Sequence, residues 1–142
     1  MQREMLAPAA VLVLWTFVML IWLAASRLPA LKAMGGLANA KPGGRGQDLE
    51  GVIPANINWK SHNYTHLLEQ PTLFYAVSTI LALTGATQTD VLLAWGYVSL
   101  RIVHSLWQAL VNTVPVRFTL FMVSTTLLVA LAIRAAEQTL FP

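Results

Sequence analysis

The chain has 142 residues, of which 56% are hydrophobic and 11% charged, with no cysteine and a net charge of +3. An average soluble domain carries about 25% charged residues, and a mean hydropathy of +0.61 points the same way. The composition therefore excludes an ordinary water-soluble enzyme and a disulfide scaffold, and indicates a single membrane domain over residues 1–142, in which any thiol chemistry has to come from a ligand.

Four apolar blocks, about 6–25, 67–85, 91–111 and 118–136, each approach the ~20 residues that cross a ~30 Å hydrocarbon core as helix. They predict an all-α fold, a four-transmembrane-helix up-down bundle, because the later connections are too short for anything but antiparallel neighbours. The first block begins with the weakly basic "MQRE", is too long for a signal-peptide core and is followed by no A-x-A pattern, so it reads as the first helix.

Residues 26–62 form the one long connection. "KPGGRG" and "IPANINW" give it a Gly, Pro and Asn bias with no sustained period, which predicts mostly irregular, water-exposed chain. Within it, "RLPALKAMGGL" suits a short amphipathic turn on the membrane surface, and Trp59 suits an interfacial anchor. The loop holds Arg27, Lys32, Lys41, Arg45 and Lys60, and Arg117 follows the third block, whereas "TGATQTD" between the second and third has no base. The positive-inside rule then makes 26–62 and the 3–4 turn cytoplasmic, with both termini on the non-cytoplasmic side. Bases this sparse, beside Asp48 and Glu50, suit anionic lipid headgroups rather than nucleic acid.

The second helix opens on a polar stripe, Asn63, His66 and Glu69, spaced so that all three share a face. The third carries the counterpart in Arg101, His104 and Gln108, with Ser105 and Asn112 beside them. An arginine near the bilayer centre costs ~2.5–3.5 kcal/mol even on lenient insertion scales. Arg101 therefore needs a partner, and Glu69, the only acid inside the blocks, is the expected one, directly or through Gln108 or a ligand group. Pro71 should kink the helix there and open room. His62 and His66 stand four apart but lack the H-E-x-x-H core, so no metal site is predicted. Such a stripe suits either a clasp between helices, since interhelical hydrogen bonds in membranes are worth about 0.6 kcal/mol each, or a pocket. The approach of Arg117 to the same leaflet favours the pocket.

The segments "HLLEQPTLF" and "RIVHSLWQALVNTVPVRF" resemble the MAPEG family, the membrane-associated proteins of eicosanoid and glutathione metabolism. The spacing of R-x-x-H-[ST] and the following P-x-R is the specific part; the likeness covers the second to fourth helices and matches the first by position. It implies a four-helix protomer in a homotrimer, with glutathione held between subunits on the cytoplasmic side. By position, Glu69 falls on the family's glutamate, Arg101 and His104 on its arginine and histidine, and Arg117 on the arginine near the thiol. The resemblance thus implies Arg117 as the catalytic residue, with Glu69, Arg101 and His104 among the glutathione-binding residues, to which the polar stripe adds Asn63, His66 and Gln108, and the need for a third cation adds Arg27.

This sequence departs from that pattern in having His66 for an asparagine, His62 and Thr65 for flanking bases, and Gln108, beside Trp107, for a tyrosine. "NYTHLLEQP" looks closest to a bacterial branch, which implies an inner-membrane location. The activity implied is transfer of glutathione or a related thiol to lipophilic electrophiles, or a peroxidase reaction. The alternative is a non-catalytic MAPEG-fold protein whose polar cluster is structural or holds a lipid headgroup. A channel or transporter is disfavoured, because the sequence shows no broken-helix pair or inverted halves.

Overall fold

The computed structural model describes residues 1–141. The chain forms helices α1 (Gln2–Ala33), α2 (Ala55–Leu67), α3 (Pro71–Thr84), α4 (Gln88–Leu110) and α5 (Val114–Leu140), with short 3-10 turns at Leu37–Asn39 and Gly46–Leu49 and no strand among the described residues. The all-helical bundle agrees with the expected fold class.

Two boundaries differ from the sequence reading. The stretch expected as a surface turn, "RLPALKAMGGL", instead continues α1 to Ala33, straight through Pro29. Leu, Ala and Lys around that proline are strong helix formers, and the loop contracts to 34–54 with its two 3-10 turns. The second predicted span, 67–85, becomes α3 from Pro71, and the stretch before it, with "IPANINW" expected as irregular chain, is instead helical as α2 from Ala55. Pro71 has no N–H to give the Leu67 carbonyl and opens α3 as one of its first residues, so the chain tightens at Leu68, Glu69 and Gln70. Leu68 N–H reaches Thr65 at 3.0 Å and Thr72 N–H reaches Glu69 at 3.2 Å, both three residues back rather than four. The break places His66 and Glu69 on opposite sides of a turn.

The central element is α4. Its residues 90, 94, 97, 101, 104, 105 and 108 recur at helical spacing and are all buried, against α1, α2 and α5. The α4–α5 pair is antiparallel and tied at both ends. Asp90, fully buried, closes a capping box with Thr87 at the start of α4 and accepts from Arg134 Nε of α5 at 3.2 Å. At the other end Arg117 Nη1 donates to Asn112 Oδ1 at 2.6 Å. Between them, Gln70 in the break donates to Thr125 of α5 at 2.9 Å and accepts from the Tyr97 hydroxyl at 3.3 Å. The Tyr97 ring stacks on Phe74 of α3, centroids 4.5 Å apart.

The outside of the bundle is apolar. Leu14, Phe17 and Ile21 on α1, Leu73 and Leu83 on α3 and Phe118 and Ile133 on α5 are each more than half exposed, an amount of apolar surface that a water-facing monomer does not present. By length and composition α1 and α5 each suffice to cross a membrane. The split of the second span and the polar stripe of α4 make those two elements less uniformly apolar.

Candidate functional site

Where α2 and α4 meet the first turns of α5 there is a cavity of about 230 Å³, lined by His66, His104, Gln108, Arg117, Phe118 and Phe121. Each side chain reaches it for a local reason. His66 lies in the last turn of α2 before the break. His104 and Gln108 are one turn apart on the buried face of α4. Arg117 sits in the first turn of α5, and its direction is set by Asn112, which ends α4 in the left-handed conformation at φ 58° and returns its N–H to Trp107 at 2.7 Å. The Asn112 amide is thereby aimed at the Arg117 guanidinium.

Arg117 is the one permanent cation on the cavity's lining, beside two imidazoles and the rings of Phe118 and Phe121. The His66 ring lies 5.0 Å from His104 and 5.5 Å from Phe121, centroid to centroid. His66 Nδ1 is 3.1 Å from Glu69 Oε2. A carboxylate there accepts a hydrogen bond from Nδ1–H and leaves Nε2 as the nitrogen free to accept a proton.

The expected Glu69–Arg101 pair does not form. Glu69 turns outward, with its side chain 63% exposed, and pairs with His66 across the break. Arg101 is fully buried, and none of its three guanidinium nitrogens makes a hydrogen bond with a protein group. Its charge lies behind the Phe121 ring, 5.9 Å from the centroid, a cation–π distance. Glu69 is held in the open at the helix break, while Arg101 is enclosed in the interior of the bundle. Arg101 therefore adds positive field to the cavity wall rather than a hydrogen bond.

Asn63 also departs from expectation. Its amide donates to Ser105 Oγ, which accepts from Trp15 Nε1 of α1 at 2.9 Å as well. This buried trio ties α1, α2 and α4 together behind the cavity. The Asn63 carbonyl oxygen, His104 Nδ1 and Gln108 Oε1 are buried without a protein partner. Arg27 lies elsewhere: it donates to Asn58 Oδ1 at 3.3 Å and lines a separate cavity with the 34–54 loop. The paired histidines are taken by different acids, His62 by Glu50 and His66 by Glu69.

Sequence reasoning missed Phe118, Phe121 and the polar role of Trp15. The signal for the phenylalanines was present in "VRFTLF", where Phe118 adjoins Arg117 and Phe121 lies one turn further on. No such signal exists for Trp15, whose hydroxyl partner is ninety residues away.

The cavity's chemistry suits an anionic nucleophile beside an apolar electrophile: cations stabilise the first and aromatic rings house the second. No curated protein and no solved structure gives a significant match to the chain. A family model does, that of the MAPEG family, over residues 5–136. The match takes in all five helices and every wall of the cavity, and the chain belongs to the MAPEG family.

Proposed function

We propose that this protein is a membrane-embedded thiol transferase that joins glutathione to lipophilic electrophiles, or uses it to reduce them. The observation that carries the reading is Arg117, held by Asn112 over a cavity whose other walls are two histidines, Gln108, Val114 and two phenylalanines. Glutathione supplies a sulfur nucleophile, and its two carboxylates and one ammonium need cations with an acid nearby. Arg117 at the wall meets part of that need, and Arg101, buried behind Phe121, adds positive field without contact.

In the transfer, Arg117 stabilises the sulfur as thiolate, the form that reacts. His66 takes the thiol proton at Nε2, since Glu69 engages Nδ1, and returns it to the leaving group as the carbon–sulfur bond forms. Phe118 and Phe121 seat the apolar electrophile next to the sulfur. At about 230 Å³ the cavity is below the ~300–1,000 Å³ usual for a ligand site. The reading therefore includes a homotrimer, in which a neighbouring copy completes the site around the peptide part of glutathione, with all four spans in the bilayer.

The alternative, a non-catalytic member whose polar residues are interhelical glue, draws on the Asn63–Ser105–Trp15 trio, which does nothing but join helices. One experiment separates the two. Purified protein with saturating glutathione should show the ultraviolet absorbance of a bound thiolate, and Arg117→Ala should abolish it without loss of the folded state. A wild-type protein that binds glutathione with no thiolate absorbance, or does not bind it, would reject the transferase and leave the scaffold.

A further inference from the structure

A second cavity, larger than the site above, lies away from it, between the end of α1 and the loop that follows it. It measures about 490 Å³ and is lined by the cations Arg27, Lys41 and Arg45 and by the apolar side chains of Leu28, Leu31 and Leu37, among others. Asp48 is the one acid on its wall, and it stands 3.7 Å from Arg45, leaving a surplus of positive charge.

The loop is built around Arg27 rather than draped over it. Asn58 of α2, almost fully buried, accepts from Arg27 Nη2 at 3.3 Å and donates to the Leu49 carbonyl at 3.1 Å, so one amide ties α1, α2 and the loop. Gly46 lets the loop approach closely: a Cβ there would stand 2.7 Å from Arg27 Nη1 and push that flexible guanidinium aside. Arg27 Nε is buried and has no protein partner. A segment so rich in glycine loses much conformational entropy on ordering, and here the order creates a half-cationic, half-apolar pocket.

Its level relative to the bilayer follows from Trp22 and Lys60, whose ammonium lies 5.5 Å from the indole centroid. Such a tryptophan–lysine contact belongs at the edge of the apolar band. Arg27 is five residues further along α1, or about 7.5 Å at 1.5 Å per residue, which is the depth of the headgroup layer flanking the hydrocarbon core.

We propose that this pocket is a binding site for an anionic phospholipid of the surrounding bilayer, its phosphate on Arg27, Lys41 and Arg45 and the start of its acyl chain along Leu28, Leu31 and Leu37. A phosphate takes hydrogen bonds from several cations at once, and basic pockets at the ends of membrane helices are suited to such headgroups. The apolar wall distinguishes the site from one for a free phosphate, which would leave those leucines facing water.

The test uses the intact protein in vesicles of phosphatidylcholine containing phosphatidylglycerol, followed by native mass spectrometry of the lipids retained. Phosphatidylglycerol should be kept in preference to phosphatidylcholine. The exposed pair Lys41→Gln and Arg45→Gln should lower that preference about thirtyfold, taking ~1 kcal/mol per surface cation, whereas Arg3→Gln at the other end of α1 should leave it unchanged. Equal retention of the two lipids, or a doubly substituted protein that keeps phosphatidylglycerol as well as the wild type, overturns the site. Displacement by inorganic phosphate as readily as by a short-chain phosphatidylglycerol also overturns it, since the pocket would then read a free anion. None of these outcomes depends on whether glutathione binds.

Discussion

Asn112→Gly is the cleanest probe of the candidate site, because Asn112 does two separable things. Its backbone stands at φ 58°, where glycine is at least as comfortable as asparagine and alanine is not. Its side chain holds Arg117 Nη1 at 2.6 Å. Substitution by glycine keeps the turn and deletes only the tether. A hydrogen bond to a charged group is worth about 1.5–3 kcal/mol, and the partial exposure of Arg117 places this one near the lower figure. At about 1.4 kcal/mol per factor of ten, thiolate formation and turnover on a lipophilic electrophile should each fall about tenfold while the melting temperature in detergent barely moves. Asn112→Ala should show the same functional loss with added destabilisation of about 1 kcal/mol from the strained backbone. The measurements are thiolate absorbance, turnover and thermal unfolding on the three proteins. An Asn112→Gly protein with wild-type thiolate absorbance and turnover would mean that Arg117 needs no orientation, and the reasoning would fail.

Two further predictions concern charges inside the bundle. Arg101→Met should raise the stability of the glutathione-free protein by about 1.5–2.5 kcal/mol, since it removes a buried cation costing ~2.5–3.5 kcal/mol and forfeits only a cation–π contact of about 1 kcal/mol; chemical denaturation in detergent measures it, and a clear loss would reveal a partner for the guanidinium. Asp90→Asn and Arg134→Gln should each lower the melting temperature, and the double variant should lose less than the sum, because the two side chains share one ion pair at 3.2 Å between α4 and α5. Fully additive losses would show that the pair contributes nothing jointly.

The composition of the chain and its four apolar blocks determined the helical class, and the spacing of Asn63, His66, Arg101, His104 and Gln108 determined which faces turn inward, because helical periodicity is local and survives any packing. The same local reasoning put a kink at Pro71, where the missing N–H acts whatever surrounds it, but not the full break that ends α2 at Leu67. Pairing was a different matter. Glu69 and Arg101 were matched as the obvious opposite charges, yet Glu69 went to His66 and Arg101 to the back of a phenylalanine. Which charges meet depends on the axial offset and rotation of α2, α3 and α4 against one another. Those are fixed by the whole packed interior and leave no mark in the spacing along any one helix. For the same reason only the folded chain could bring Trp15 to Ser105, aim Asn112 at Arg117, and fold a glycine-rich loop around Arg27.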